Sequence, residues 1–212
     1  MNPTRLFGQD LEAEEIDAIF SFYGFRRPME ADKKLAALVK QIGGDVFVIQ
    51  EVFPLMLNTF KGTADPDRVF NNLIRFLENT PTPFIHFSYV TRNPPVLKLL
   101  FRIFSDSQFF ADILIKYPEY LDWLLQEGYG RQLDLEALLG RSRQSIADFS
   151  SHEEQLMALR RFQKKELLRI GANDLLEKSS LEQTTLELSL LADVCIQIIY
   201  EIKKAQLEEK QE

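Results

Sequence analysis

The chain has 212 residues, a net charge of -7 and a hydrophobic content of 45%, and seventeen of its residues are phenylalanine. This much apolar material can build a core, and the acidic balance argues against a general nucleic-acid-binding protein, which needs a basic surface. A single cysteine, Cys195, excludes an internal disulfide and a cysteine-based zinc site. No apolar run approaches the ~20 residues of a membrane-spanning helix, and Met1 to Gln9 lack an apolar signal core. We therefore expect a cytoplasmic protein without a membrane partner.

Helical periodicity dominates the first part of the chain, where no set of strands is apparent. Residues 46–60 are the hardest to assign, because their β-branched start favours a strand and Pro54 would kink a helix. We predict a helix there, since a lone strand would have no partner. Asp65-Pro66 indicates a helix start, with a capping carboxylate followed by proline in the first turn. The helices predicted up to residue 126 are 11–22, 30–42, 46–60, 66–79, 84–91, 94–104, 108–117 and 119–126.

The second part of the chain has fewer and longer predicted helices than the first. Residues 128–151 begin with Gly128-Tyr129-Gly130 and contain one weak helix, 133–139. Two long helices follow, at 152–177 and 181–211. The fold class we predict is therefore all-α, an irregular multi-helix bundle with two long C-terminal helices. The predicted domains are a short-helix bundle at 1–127, a loose connection at 128–151, and a long antiparallel helix pair at 152–212 that packs on the first part as one unit.

Two short motifs invite a catalytic interpretation. Gly43-Gly44-Asp45 lacks the Lys-Ser/Thr ending of a phosphate loop, so we interpret it as a helix stop followed by a cap. Asp65-Pro66-Asp67 has the Asp-x-Asp spacing of a two-metal site, but it lies at a helix start, whereas such pairs occupy a strand whose alternate residues share a face. We therefore predict no catalytic residue and no metal site in this chain.

A cluster of basic residues on the helix beginning at His152 is unusual in so acidic a chain. It lies beside an apolar stripe and could bind a phosphate, a nucleotide or an acidic partner surface. It could equally pair with acidic residues of the neighbouring helix, such as Glu182, Glu187 and Asp193. The candidate ligand- or partner-binding residues are Arg160, Arg161, Lys164, Lys165 and Arg169.

Ordered motifs along the chain carry a family resemblance. They are Gly24-Phe25 with Pro28, Asp65-Pro66-Asp67-Arg68, Asn71-Asn72-Leu73, Arg75-Phe76-Leu77, Asn93-Pro94-Pro95, Leu99-Leu100, Ser107, Phe110-Ala111-Asp112, Pro118-Glu119, Leu121-Asp122, Leu159-Arg160-Arg161-Phe162, Leu167-Leu168-Arg169-Ile170, Asp174-Leu175-Leu176 and Leu188-Ser189 with Leu191-Ala192-Asp193. Each motif is degenerate alone. Their joint order, over roughly residues 22–205, resembles the bacterial glutamine synthetase adenylyltransferase/adenylyl-removing enzyme.

The resemblance implies a large bifunctional nucleotidyltransferase with two similar halves, each a helical region followed by a catalytic domain marked by Gly-Gly and Asp-x-Asp. One half attaches AMP to a tyrosine of glutamine synthetase and the other removes it. This chain resembles the helical N-terminal region alone, as a truncated chain, a split gene product or a stand-alone relative. The halves share the helical pattern, and the start at Met1 favours the first half. No catalytic residue of the family maps onto this chain.

The expected function is therefore to support AMP transfer to, or removal from, glutamine synthetase without catalysing it. The resemblance implies no cofactor in this chain, and ATP with Mg²⁺ for the full enzyme. It implies as partners the nucleotidyltransferase domain of the same enzyme, glutamine synthetase and a nitrogen-signalling regulatory protein. The alternative is a free-standing helical protein-interaction module unrelated to nitrogen regulation.

Overall fold

The structure is a computed structural model that describes residues 3–7, 11–42, 46–128 and 130–209. The all-α prediction is confirmed, because every regular element in these ranges is a helix. No helix among the described residues is long and apolar enough to cross a membrane. The chain divides into two compact units, residues 1–119 and 120–212. The α-helices are α1 (Ala13–Phe22), α2 (Pro28–Gln41), α3 (Val46–Lys61), α4 (Pro66–Glu78), α5 (Pro83–Arg92), α6 (Pro94–Asp106), α7 (Gln108–Lys116), α8 (Glu119–Trp123), α9 (Leu135–Ile146), α10 (His152–Leu175) and α11 (Leu181–Glu208).

Local sequence signals fix several of these helix boundaries. The Asp65 side chain accepts a hydrogen bond from the backbone N–H of Arg68 at the start of α4, as predicted for a cap. Ser107 caps α7 in the same way, accepting from the N–H of Phe110. Gly24 follows α1 with a φ of 88°, a left-handed conformation that glycine adopts without strain. The predicted boundaries of these helices therefore hold to within two residues.

The first unit packs its short helices around phenylalanine rings. Phe60 lies 5.7 Å from Phe70 and 4.8 Å from Phe101 between ring centroids, so α3, α4 and α6 meet at one aromatic cluster. Phe53, which follows the β-branched start of α3, is fully buried. The prediction of a helix at residues 46–60 is confirmed, with Pro54 inside it. Burial of one apolar face outweighs strand propensity in this segment.

The second unit contains the two long helices that the sequence predicted. Three contacts run between them in antiparallel order. They join Asp174 to Thr184, Arg169 to Glu187, and His152 to Glu209. Helix α9 packs against both, and the three helices bury a shared apolar core. Its members are Leu138, Leu159, Phe162, Ile170, Leu191, Val194, Cys195, Ile198 and Ile202.

Three segments differ from the prediction or lie outside the described residues. The weak helix expected at 133–139 is α9, which begins at Leu135 and continues to Ile146. The helix expected at 119–126 is α8 followed by a π-helix, Leu124–Gly128. The predicted stop and cap at Gly43-Gly44-Asp45 lie outside the described residues.

Candidate partner-binding surface

Helix α10 carries all five candidate residues, and Arg160 and Arg161 among them are exposed to solvent. Its N-terminus is capped by Ser151, whose hydroxyl accepts a hydrogen bond from the backbone N–H of Glu154 at 3.2 Å. Leu159 and Phe162 anchor the middle of the helix in the core of the second unit. A helix anchored in this way is a rigid support, so the backbone positions from which the exposed side chains extend are fixed relative to one another.

Four of the five candidate residues form one continuous patch on α10, which we call the basic surface: Arg160, Arg161, Lys164 and Lys165. Arg160 and Arg161 are exposed, while Lys164 and Lys165 are half-buried. Neither arginine forms an ion pair with any acidic residue in the ranges that the structure describes. These two guanidinium groups are therefore open to an external anion or acidic surface.

Lys165 is held against two aromatic rings. Its Nζ atom lies 5.1 Å from the centroid of the Tyr120 ring and 5.6 Å from that of Trp123. Both distances are within the range of a cation–π contact, which positions the ammonium group without neutralising it. Tyr120 and Trp123 of α8 thus meet α10 at this lysine, although they are distant from it in sequence.

Arg169, the fifth candidate, is fully buried and is not part of the basic surface. Its Nε donates to Glu166 at 2.6 Å and its Nη2 donates to Glu187 at 2.7 Å. Its Nη1 donates to the backbone carbonyl of Arg131 at 2.7 Å. The guanidinium is therefore occupied by internal partners, and Arg169 joins α10 to α11 and to the segment before α9.

This buried network also fixes the backbone between the π-helix and α9. The Asn173 side chain donates to the carbonyl of Arg131 and accepts from the N–H of Gly130, both at 2.9 Å. The N–H of Leu133 donates to Glu187 at 2.8 Å. The backbone of residues 130–133, at the start of segment 128–151, is thus hydrogen-bonded to side chains of both long helices.

The charges within the network reinforce one another. Burial by itself would lower the pKa of the Arg169 guanidinium, but its hydrogen bond with Glu187 and the charge of Glu166 outweigh that effect and hold the pKa above its usual value. Arg141 adds a second cation 3.4 Å from Glu166. Glu187, one of the acidic partners that the sequence offered for the cluster, pairs with Arg169.

Both carboxylates of the Asp65-Pro66-Asp67 motif accept hydrogen bonds from backbone N–H groups. The Asp67 carboxylate accepts from the N–H of Arg26 at 2.8 Å, while Asp65 caps α4. Among the described residues, no group of three or more histidine, cysteine, aspartate or glutamate side chains could hold a metal ion. The two carboxylates border a shallow cleft of mixed charge, about 370 Å³ in volume, lined by Arg26, Arg27, Glu30, Lys34, Asp65, Asp67, Arg68 and Asn71.

Other residues of the resemblance stabilise the first unit. Gln108 hydrogen-bonds Asn72 at 3.1 Å and Asp112 at 2.9 Å, and Arg75 forms an ion pair with Asp112 at 3.2 Å. These contacts fasten α4 to α7. The sequence pattern of this region therefore reflects packing between helices.

Comparison with known proteins identifies the family. The sequence model of the family described as glutamate-ammonia ligase adenylyltransferase matches residues 97–211, which include all of α9, α10 and α11. The chain belongs to this adenylyltransferase family. Its basic surface and its buried Arg169 network both lie within the matched region. No solved structure matches the chain significantly.

Several curated relatives share the name bifunctional glutamine synthetase adenylyltransferase/adenylyl-removing enzyme. The protein from Leifsonia xyli subsp. xyli is 27% identical over 89% of this chain and 19% of its own length. The protein from Thioalkalivibrio sulfidiphilus is 25% identical over 75% of this chain and 17% of its own. The protein from Neisseria meningitidis serogroup B is 29% identical over 68% and 16%. The chain thus spans less than a fifth of the length of these relatives.

Proposed function

We propose that this adenylyltransferase-family chain is a non-catalytic helical region that supports AMP transfer to, or removal from, glutamine synthetase. Family membership and the names of the relatives support the link to glutamine synthetase. The described residues offer no group of side chains that could hold a metal ion, and the Asp65 and Asp67 carboxylates, despite their Asp-x-Asp spacing, accept backbone hydrogen bonds from Arg68 and Arg26. Chemistry would then belong to a separate nucleotidyltransferase domain, which would bind ATP and Mg²⁺.

The basic surface is the observation that carries this proposal. It places four cationic side chains on one face of a rigid helix, in a chain whose net charge is -7. A patch of this kind attracts an acidic surface over about a Debye length, ~8–10 Å at moderate salt. Its proposed partner is an acidic surface of the nucleotidyltransferase domain, of glutamine synthetase, or of a nitrogen-signalling regulatory protein.

The composition of the basic surface favours a protein partner over a nucleotide. Only Arg160 and Arg161 could form two parallel hydrogen bonds with a phosphate, and they are adjacent in sequence, so their side chains leave the helix about 100° apart. Lys164 and Lys165 act as point charges. Such a surface suits a broad acidic face better than a single phosphate group.

A binding titration tests the proposal. The chain is titrated against the nucleotidyltransferase domain of the family enzyme and against glutamine synthetase, at about 50 mM and about 300 mM salt. We expect binding to at least one partner that weakens at higher salt. The variant Arg160→Glu/Arg161→Glu should lose at least about 10-fold in affinity for that partner.

The control variant Arg92→Glu/Lys98→Glu introduces the same change in charge at two exposed positions of the first unit. Its affinity should stay within about 3-fold of the unmodified chain, since these positions lie outside the basic surface. Equal losses in both variants would reveal a general charge effect and would remove the basic surface from the account. Absence of binding to every partner would refute the proposed function.

A further inference from the structure

Helix α11 is apolar on two different faces. One face contributes to the core of the second unit through residues such as Leu191, Val194 and Ile198. The other face is exposed, and Ile196 and Leu181 retain 68% and 72% of their accessible surface. We call this second face the outer stripe, and its members are Leu181, Thr185, Leu188, Ala192, Ile196, Ile199, Lys203 and Leu207.

The outer stripe follows an 11-residue repeat. Leu181, Ala192 and Lys203 occupy one position of the repeat, and Leu188 and Ile199 occupy another. Eleven residues make three turns at about 3.67 residues per turn, close to the 3.6 of a straight helix. The stripe therefore runs almost parallel to the helix axis for about 39 Å, at ~1.5 Å per residue. A line of mostly apolar side chains of this length can accept a second helix.

The stripe is self-complementary about Ala192. When two copies of α11 lie antiparallel with Ala192 facing Ala192, Leu188 faces Ile196 of the other copy, and the small central side chain permits close approach. Further out, Thr185 faces Ile199. At each end Lys203 reaches the turn that carries Leu181 and Glu182 in the other copy, which places opposite charges together.

We propose that the outer stripe is a two-fold interface between two copies of this chain, paired antiparallel about Ala192. A two-fold interface needs a surface that complements itself, and this stripe places Leu188 against Ile196, Ala192 against its own copy, and a lysine beside a glutamate. The pairing would bury roughly 1,000 Å² in total, at the lower limit for specific interfaces, so we expect a dissociation constant in the micromolar range. This inference is independent of the proposed role in AMP transfer.

The first test measures molar mass by sedimentation equilibrium between about 1 and 100 µM, the range in which a micromolar dimer forms. The unmodified chain should change from monomer to dimer across this range. Ile196→Glu places a charge in the centre of the interface from both copies, and should raise the dissociation constant at least about 100-fold.

Leu186→Glu is the matched control. Leu186 is an exposed leucine of the same helix, 58% accessible, about 100° around the axis from the middle of the stripe. This variant receives the same charge and should dimerise like the unmodified chain. A chain that stays monomeric at 100 µM, or equal effects of the two substitutions, would overturn the proposal.

The second test fixes the orientation and does not depend on how Ile196→Glu folds. Under oxidising conditions Ala192→Cys should form a disulfide-linked dimer, because the two introduced thiols meet at the two-fold axis. Thr185→Cys should not, since the two copies of this residue would lie about 21 Å apart along the helix pair. Cross-linking of both variants, or of neither, would exclude the antiparallel pairing.

Discussion

The guanidinium of Arg169 and the carboxylate of Glu187 lie 2.7 Å apart inside the second unit, where an ion pair joins its two long helices. Both residues are buried, and the same carboxylate accepts the backbone N–H of Leu133. One arginine therefore connects α10, α11 and the segment that precedes α9. Removing one member of such a group leaves an uncompensated charge in the interior.

We expect Arg169→Ala to lower the free energy of unfolding by about 3 to 5 kcal/mol, because Glu166 and Glu187 would remain buried without their shared cation. Urea denaturation followed by circular dichroism measures this loss. The control is Arg161→Ala on the exposed side of the same helix, which should change stability by less than about 0.5 kcal/mol. Similar effects of the two substitutions would contradict the distinction between a buried network and an open basic surface.

The basic surface should be dispensable for folding. Because Arg160 and Arg161 are exposed and form no ion pair in the described ranges, Arg160→Glu/Arg161→Glu should leave the melting temperature within about 3 °C of the unmodified chain. Differential scanning calorimetry provides the measurement. A large drop in melting temperature would assign these arginines to stability and remove them from partner binding.

The N-terminus of α11 is held by a reciprocal cap. The Ser180 hydroxyl accepts the N–H of Gln183 at 3.3 Å, and the Gln183 side chain accepts the N–H of Ser180 at 2.9 Å. Ser180→Ala removes half of this capping box and should cost about 1 kcal/mol in denaturant unfolding. Ser189→Ala, an exposed position within the same helix, should be neutral or slightly stabilising because alanine is the better helix former. The reverse order would show that the cap does not stabilise α11.

Cys195 should be a poorly reactive thiol. It belongs to the core of the second unit, and burial raises the pKa of its thiol, so little thiolate exists near neutral pH. We expect a disulfide reagent such as dithionitrobenzoate to label it at least about 100-fold more slowly in the native chain than in urea at pH 8. Equally fast labelling in both states would mean that the helix pair opens readily.

The positions of the helices follow from the sequence more closely than the burial of individual charged side chains does. The helix predicted at residues 46–60 is present, because a lone strand in an otherwise helical chain would have no partner strand to pair with. By contrast, α9 was predicted too short, since Gly140 and the polar residues after it weaken the local helix signal. The structure extends this helix beyond residue 139 because Ser142 is fully buried and Ile146 packs against the core of the second unit, contacts that no local pattern contains.

The sequence pattern groups Arg169 with the four residues of the basic surface, because sequence alone does not show which side chains become buried. A helical wheel gives the angular position of a side chain, but its burial depends on the element packed against it. The neighbours that decide this case are Glu187 and the carbonyl of Arg131, which lie far from Arg169 in sequence. Of the remaining four basic residues, Arg160 and Arg161 are exposed and Lys164 and Lys165 are half-buried.

The most direct test of the account is an assay of AMP transfer with radiolabelled ATP, Mg²⁺ and glutamine synthetase. Three reactions are compared: this chain alone, the nucleotidyltransferase domain alone, and the two together. We predict no transfer by the chain alone and a faster reaction when it is added to the domain. Transfer of AMP by the isolated chain, or a domain whose rate is unchanged by adding it, would contradict the account.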